Sequence, residues 1–597
     1  MSEQPNSIWK KSIRLPQLFL VWLLLMATTM LIIIGIMMVI HPLIIEPQGV
    51  AGVLIFGAAG ATILLAGWIF IRWLFFRRNL KRSLFALACF AMLIALFYAE
   101  EDWRGWHAWN QFKLEWEAKG EKFELASIVP PAVPDEQNFA MAPILVESVK
   151  ATLGPKRSRE WFGDKNAENG RTNFTDRLML NIQRNNDWTG FPTNGQWPKG
   201  TLTDLAVWQA YYRAPVDANR NSTATTNEFL IAAQMQTPAQ DVLLALSKYD
   251  LAIEELRQAS QLPYARFPLG YDDENPAEIL LPHLALLKRS SQALQLRAIA
   301  ELQNRESEKA LADVKLSLRL ADAMRTEPFL ISHLFRAAIL SLTLQPVYEG
   351  LAEHKWSEAQ LVDLDAELAK SDYLVSYKLA MRGEMVFQGG ILDYLRHHPD
   401  QLLNLSGDFA SAKPPLPGRI VCGLIPTGWF YQNQLRCARP MVEFYLPAAD
   451  VKQATISPAK IRDAGAAIEA DTKRPTPNNI IERMLMPALG ASARKFAYAQ
   501  ASVDLARTAI ALERYHLAHG EFPESLAALA PQYIAQVPHD VIGGQPLKYR
   551  READGDFVLY SVGWNETDDG GMVVFKKGET PSMDISQGDW VWRYPAR

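Results

Sequence analysis

The chain has 597 residues, which at about 150 residues per domain predicts several structural units, each long enough to bury its own core. A net charge of −4, with 49% hydrophobic and 21% charged residues, excludes a disordered chain and disfavours a basic nucleic-acid-binding protein. Three cysteines are too few for a disulfide scaffold or a four-cysteine zinc site, so the fold must depend on hydrophobic packing.

The first hundred residues carry three long apolar runs. No Asp, Glu, Lys or Arg occurs from Leu15 to Ile45, a stretch longer than the roughly 20 residues that a helix needs to cross a bilayer. The third run has 17 residues and is the shortest. We predict three transmembrane helices within residues 1–99, at about 18–40, 49–71 and 83–99.

Positive charges near these runs predict how the chain crosses the membrane, because Lys and Arg are retained on the cytoplasmic side. Eight of them fall on one side of the predicted spans: Lys10, Lys11, Arg14, Arg72, Arg77, Arg78, Lys81 and Arg82. Three acids, Glu100, Glu101 and Asp102, follow the third run. This asymmetry predicts a bacterial inner-membrane protein with a cytoplasmic N-terminus and with the residues after about 99 in the periplasm. If the third run does not span, those residues are cytoplasmic instead.

Residues 100–236 form a predicted irregular region rich in Trp and Pro. Aromatic residues at helical spacing open it and indicate an amphipathic helix leaving the membrane: Trp106, Trp109, Phe112 and Trp116. Three prolines between positions 130 and 134 then break the pattern, and no sustained periodicity follows. We predict a segment built mostly of loops.

Residues 237–400 change to repeated helical patterns, with apolar residues on one face and Glu and Lys on the other. The stretch Arg297–Met324 resembles one helix–turn–helix unit of a tetratricopeptide-like solenoid. Such stacks present binding surfaces more often than they perform chemistry. We therefore predict a helical, repeat-like domain with a binding surface.

Residues 401–477 form a Pro-rich connection that is too apolar to be a free linker. Cys422 and Cys437 both lie in it, outside the membrane on the predicted topology, where oxidation is permitted. A disulfide between them would close a loop of about 15 residues and stabilise the fold by about 3 kcal/mol on the chain-entropy model. The alternative is two buried free thiols.

Residues 478–597 follow an α+β order, with a long helix and then short alternating segments typical of antiparallel strands. Characteristic residues lie along the helix, in the loop after it and in the strands: Leu505, Ala511, Leu512, Tyr515, Gly520, Phe522, Pro523, Pro538, Asp540, Gly544, Pro546, Tyr549, Leu559, Tyr560, Ser561, Gly563, Gly570, Gly571, Asp584, Ile585 and Trp590. In type and order they resemble the periplasmic head of the major pseudopilin of type II secretion systems. The full-length architecture looks like other large, multi-span, membrane-anchored bacterial envelope proteins.

The resemblance implies a calcium site in the loop after the Tyr-Ser strand. In that family the loop binds calcium through acidic side chains and backbone carbonyls, which correspond here to Asn565, Asp568, Asp569, the Val562 carbonyl and, downstream, Asp584. Calcium takes six to eight hard oxygen ligands. The alternative is a solvated acidic turn. Because three spans and a long body precede the head, the resemblance implies a docking module and not a filament subunit.

The sequence lacks the minimal motifs of common catalytic sites, namely H-E-x-x-H, G-x-x-x-x-G-K-[ST], G-x-S-x-G and C-x-x-C. His516 and His519 are three residues apart and share a helix face, as metal ligands sometimes do. They also precede Gly520 at a helix end, where His caps the negative end of the helix dipole. We predict no catalytic residues and no cofactor other than calcium.

Together these observations predict a membrane-anchored, multi-domain protein: three N-terminal transmembrane helices, a mainly α-helical, repeat-like extracytoplasmic body and a C-terminal α+β pseudopilin-like domain. The predicted function is that of a non-enzymatic periplasmic scaffold or interaction protein, with secretion or envelope assembly as its setting. Its predicted partners are the lipid bilayer and other envelope or secretion proteins, and not nucleic acid. The alternative is a membrane-tethered periplasmic enzyme or binding protein for polysaccharide or peptide, with its site around Trp188–Trp208. Carboxylate pairs such as Asp272 and Asp273, or Asp568 and Asp569, could act on sugars beside tryptophans, but the tryptophans are scattered along the chain, which favours core and interface anchoring.

Overall fold

The described part of the chain is mostly α-helical, with small antiparallel sheets. The computed structural model describes residues 62, 65–67, 69, 80–150, 153, 180–183, 191–214, 229–406, 416–474, 476–486, 489–553, 555–576 and 582–594. The longer α-helices are α1 (Leu80–Ala118), α2 (Leu205–Arg213), α3 (Pro238–Leu246), α4 (Asp250–Ala259), α5 (Pro282–Gln303), α6 (Ser307–Asp322), α7 (Leu330–Ala352), α8 (Glu358–Leu368), α9 (Tyr373–His397), α10 (Leu416–Gly423), α11 (Thr427–Pro440), α12 (Pro458–Thr472), α13 (Ile480–Leu485) and α14 (Leu489–His519). The strands are β1 (Ala449–Asp450), β2 (Thr455–Ile456), β3 (Lys548–Arg551), β4 (Phe557–Ser561), β5 (Val573–Phe575), β6 (Met583–Gly588) and β7 (Trp590–Arg593).

Helix α1 contains the third apolar run and continues through the aromatic segment after it. Large apolar side chains between positions 84 and 97 are exposed: Leu84, Phe85, Leu87, Phe90, Met92, Leu93, Ile94, Leu96 and Phe97. Further along, Trp109 and Phe112 are buried in the core of the compact unit Glu101–Arg597. The third run and the amphipathic helix, separate in the sequence prediction, are therefore one continuous helix.

Two helices among the described residues are long and apolar enough to cross a membrane. Within the most apolar 18 residues of each helix, 6% are buried in Leu84–Ala118 and 56% are buried in Leu330–Ala352. The second helix also carries the fully buried Arg336 and is a core helix of its unit. Length and composition thus agree with membrane anchoring through α1. The predicted spans at 18–40 and 49–71 lie almost entirely outside the described residues, and the three-helix arrangement stays a prediction.

A close backbone contact joins α1 to the start of α11. Gly105 and Gly428 lie so near each other's helix that a β-carbon on either would collide with backbone atoms. Asp102 Oδ1 accepts the Gly428 N–H at 2.7 Å, and Glu101 Oε2 accepts the indole N–H of Trp429 at 3.0 Å. Carboxylates at a helix N-terminus stabilise N–H groups that have no partner within the helix. Sequence reasoning took these acids only as signals of orientation.

Helices α3 to α9 form the body predicted from helical periodicity. Helices α5, α6 and α7 pack on one another, and α5 and α6 with the turn between them supply the helix–turn–helix predicted at Arg297–Met324. Capping boxes fix two helix starts, where Thr237 pairs with Gln240 and Ser357 pairs with Gln360. The prediction of a mainly helical body is confirmed.

Helix α14 lies in the interior of the unit Glu101–Arg597. Side chains on all its faces are buried along most of its length, including Ala497, Ala506 and Ala509. It packs against α7, α8 and α9 and against strands β4, β6 and β7. The segment 478–597, predicted as a domain of its own, therefore shares its main helix with the helical body and belongs to the same compact unit.

The sheets are short and antiparallel. Strands β3, β4 and β7 form one sheet, in which Leu559 of β4 lies opposite Tyr549 on one side and Trp592 on the other. Strand β5 pairs with β6, and β1 pairs with β2. Every residue of β4 is buried, because that strand lies between two others and packs on α14. The order of helix first and sheet second agrees with the predicted α+β arrangement.

Candidate functional site

An open cavity of about 950 Å³ lies beside the loop between α4 and α5. Four carboxylates and one guanidinium line it, together with two phenols and several small or apolar residues. The charged and phenolic groups are Arg266, Tyr271, Asp272, Asp273, Glu274, Glu278 and Tyr394. Asp272 and Asp273, one of the carboxylate pairs noted in the sequence, therefore line a cavity.

Contacts with distant parts of the chain hold this loop in place. The Arg266 N–H donates to Asn138 Oδ1, and Asn138 Nδ2 donates to the Arg266 carbonyl, both at 2.8 Å. The Arg266 Nε–H donates to the Pro130 carbonyl at 3.0 Å. Tyr271 stacks on Phe329 with ring centroids 5.7 Å apart. The Pro-rich segment that sequence analysis treated as irregular thus supports one wall of the cavity.

The cavity is electronegative. One of its acids, Glu274, lies 3.0 Å from the exposed His398, while no described residue forms an ion pair with Asp272 or Asp273. Burial, and after it the charges of Glu278 and Glu274, raises the pKa of Tyr394. Its phenol therefore stays protonated and can donate hydrogen bonds.

These groups suit the binding of a cationic ligand. Carboxylates attract positive charge and accept hydrogen bonds from ammonium and guanidinium groups, while aromatic faces attract cations. None of the described lining residues is a tryptophan. The arrangement differs from the tryptophan platform expected for a polysaccharide site.

Two tryptophans of the predicted site around Trp188–Trp208 lie in the described residues, and both are in the core. Trp197 and Trp208 are both fully buried, and Trp188 lies outside the described residues. The Trp197 ring packs on Tyr498 and Trp592, with centroids 6.1 and 5.3 Å away. These tryptophans anchor the irregular region to the rest of the unit.

Three residues of the predicted calcium site lie in one loop and the fourth, Asp584, lies in strand β6; all four form hydrogen bonds or ion pairs within the protein. Asn565 Nδ2 donates to Asp569 Oδ2 at 2.9 Å. Asp568 pairs with Lys548 Nζ at 3.1 Å, and this contact lowers the pKa of Asp568. Asp584 Oδ1 accepts from the backbone and the hydroxyl two residues further on. Calcium binding stays a prediction; among these four residues, the side chains of Asn565 and Asp569 contact each other.

Asp589 organises the same loop and was missed by sequence reasoning. Its buried carboxylate accepts the N–H groups of Gly571 at 2.6 Å, Met572 at 3.2 Å and Asp569 at 3.2 Å. Burial raises the pKa of Asp589. A local signal that could have found it is the preceding Gly588, which adopts a positive φ of 67° as a glycine-favoured turn requires.

Cys422 and Cys437 are both buried free thiols. The disulfide expected from the sequence is not formed, and the alternative of two buried thiols is what the structure contains. Burial raises the pKa of both side chains, so both stay protonated and poorly nucleophilic.

A second cluster joins α14 to the end of α7. His354 Nδ1 lies 2.7 Å from Glu513 Oε1, and the rings of His354 and His516 stack at 4.9 Å. His519, the other member of the sequence-predicted pair, contacts the Tyr515 carbonyl at 3.0 Å through Nδ1 and thereby caps the helix end. The capping expected at this helix end is therefore present at His519, whereas His516 packs against His354.

No protein-family model, curated protein or solved structure matches the chain. The resemblance of 478–597 to a pseudopilin head stays a prediction that rests on the residues named for it.

Proposed function

We propose that this protein is a membrane-anchored interaction protein whose cavity at Arg266–Glu278 binds a basic segment of a partner protein. The observation that carries the proposal is the excess of carboxylates over cations around an open cavity of about 950 Å³. A lysine- or arginine-rich segment would neutralise these charges on binding. The aromatic ring of Tyr394 would contact its aliphatic stems.

The proposed setting is the bacterial inner membrane, with the cavity in the periplasm and an envelope or secretion protein as the partner. The exposed apolar side chains of α1 support attachment to a bilayer, and the cluster of Lys and Arg before it supports the orientation. A C-terminal alkaline phosphatase fusion, which is active only outside the cytoplasm, tests this placement. An inactive fusion would assign the unit to the cytoplasm.

Electrostatics at such a cavity governs rate and specificity more than final affinity. Exposed charges are screened over about 8 Å at physiological ionic strength, and complementary charges mainly accelerate encounter and exclude wrong partners. Binding of a basic segment should therefore weaken as salt is added.

The test is peptide binding to the full chain in detergent micelles, followed by fluorescence anisotropy. The ligand is a labelled peptide of alternating lysine and glycine, and the control peptide has glutamine in place of lysine. The double variant Asp272→Asn/Asp273→Asn should weaken binding of the lysine peptide roughly five-fold, since each exposed charge pair contributes about 0.5 kcal/mol.

A matched control removes two exposed acids elsewhere. Asp463 and Glu469 lie exposed on α12, and Asp463→Asn/Glu469→Gln makes the same change in net charge. This variant should bind the lysine peptide like the wild type. Equal losses in both double variants, or equal binding of lysine and glutamine peptides, would refute a specific basic-segment site.

The alternative of an enzyme or binding protein for polysaccharide or peptide retains one supporting feature. Asp272 and Asp273 line the same cavity as Tyr271 and Tyr394, and carboxylates with aromatic rings can bind sugars. Binding of a neutral oligosaccharide, lost in Asp272→Asn/Asp273→Asn, would favour this alternative over a basic partner.

A further inference from the structure

We propose that His354, Glu513 and His516 form a binding site for a divalent transition metal of the zinc type. One donor atom from each side chain lies within 4.8 Å of the other two. Imidazole nitrogens and a carboxylate oxygen are the donor set that zinc takes in sites with two His and one Glu. The site lies apart from the acidic cavity and does not depend on the proposed function.

The sequence brings two of the three ligands together by helix geometry alone. Glu513 and His516 are three residues apart near the end of α14, and residues at this spacing lie on the same helix face. His354 arrives from the end of α7, a helix that packs directly on α14. The third ligand is thus 159 positions away from Glu513 in sequence, and only the packing of the two helices supplies it.

The backbone at His354 is held in a conformation that side chains with a β-carbon disfavour. Its φ is 53°, and left-handed backbone costs a non-glycine residue roughly 1–2 kcal/mol. Hydrogen bonds on both sides fix it, because its own N–H donates to Leu351 at 3.1 Å and that of Lys355 donates to Gly350 at 2.8 Å. These are the two hydrogen bonds of a Schellman turn, a common helix end, and they fix where the His354 side chain leaves the backbone at the end of α7.

Glu513 supplies a second, independent observation that indicates a ligand. Its side chain is 1% exposed, and one oxygen contacts His354. The other, Oε2, is buried and has no hydrogen-bond partner among the described residues. A buried carboxylate oxygen without a partner is costly, and a bound cation would satisfy it.

The geometry fits zinc with small adjustments. Donor atoms of a tetrahedral zinc ion lie about 3.3 Å apart, given metal–ligand distances near 2 Å. His354 and Glu513 would move slightly apart from 2.7 Å, and the wider separations in the cluster would close. The His354 side chain is 31% exposed, which leaves an access path and a fourth position for water. Calcium and magnesium prefer oxygen ligands throughout and fit this donor set poorly.

The experiment uses the full chain in detergent, stripped with a chelator and then titrated with zinc alone against a chromophoric competitor. We expect one zinc ion per chain. Loading with cobalt should give the visible absorption bands of a four-coordinate site with nitrogen and oxygen ligands. Glu513→Gln, which keeps the side-chain shape, and His516→Ala should each weaken zinc binding at least ten-fold.

His519→Ala is the matched control, since it removes a histidine three residues further along the same helix. It should leave zinc affinity unchanged. Thermal unfolding of the metal-free proteins identifies any variant that fails to fold, in which case the other variant decides. Any of three results would contradict a zinc site. These are a wild type that binds no zinc, Glu513→Gln and His516→Ala variants that bind zinc like the wild type, and a His519→Ala variant that loses zinc affinity to the same extent as they do.

Discussion

At the scale of single residues, buried carboxylates are the groups whose chemistry depends most on the fold. Glu482 lies on the short helix α13 and is almost fully buried. Burial, with the nearby charge of Asp471 adding to it, raises the pKa of Glu482 from 4.5 to about 8, although Arg436 opposes the shift. An acid in the first turn of a helix is ordinarily exposed and ionised, so sequence alone would not single out Glu482.

The raised pKa of Glu482 predicts a pH-dependent stability. Between about pH 4.5 and 8 the unfolded chain has lost this proton while the folded chain keeps it, so the free energy of unfolding falls as pH rises. The loss is at most about 1.4 kcal/mol for each pH unit in this window. Glu482→Gln removes the titration, and its stability relative to wild type should increase steadily from pH 5 to pH 8 in urea unfolding of the detergent-solubilised protein.

The control for this prediction is Glu469→Gln on the exposed face of α12. The difference between this variant and wild type should stay constant over the same pH range. If the difference in unfolding free energy between Glu482→Gln and wild type is also constant, then Glu482 has an ordinary pKa in the folded protein, and burial does not raise it.

At the scale of elements, the approach of α1 to α11 depends on two glycines. The N-terminus of α11 meets the α1 backbone at Gly105 and Gly428, and Asp102 accepts the Gly428 N–H there at 2.7 Å. Helices approach this closely only where neither carries a side chain at the crossing. The contact fixes the residues from Glu101 onward in α1 against α11, within the unit Glu101–Arg597.

Gly105→Ala should therefore destabilise the protein, because its β-carbon would collide with the Gly428 carbonyl. Overpacking costs about 1–3 kcal/mol and outweighs the gain in helix propensity from alanine, which is about 1 kcal/mol. The control is Gly465→Ala in α12, where a β-carbon would meet nothing within 4 Å. It should leave the thermal unfolding midpoint equal or higher, and a Gly105→Ala protein that unfolds no earlier than wild type would contradict the close approach.

At the scale of the whole molecule, one apolar core runs through most of the unit Glu101–Arg597. A single cluster of buried residues extends from Trp109 in α1 to Tyr594 after β7 and includes the inner faces of α7, α9 and α14. A second cluster gathers around α2 to α6. Segments that differ in sequence composition therefore share their cores.

This shared core predicts that residues 478–597 do not fold as an isolated domain. Without α7, α8 and α9, one side of α14 would expose buried alanines and leucines to water, at a cost of about 25 cal/mol for each Å² of apolar surface. The fragment should show no cooperative thermal transition by circular dichroism, whereas residues 101–597 should. A cooperatively folded 478–597 fragment would restore the independent domain that the sequence suggests.

The sequence by itself determined the features that depend on neighbouring residues. The apolar helix at 83–99, the helical body, the helix–turn–helix at Arg297–Met324 and the helix-before-sheet order are all visible as local periodicity, because each follows from the repeat of one helix or strand.

Only the tertiary structure decided which of these elements share a core and which side chains meet. The burial of α14 on every face, the separate thiols of Cys422 and Cys437 and the meeting of His354 with Glu513 join residues far apart in sequence. Such contacts depend on how helices pack, and the chain carries no local repeat that encodes them. For that reason nothing in the sequence pointed to the contact between His516 and His354.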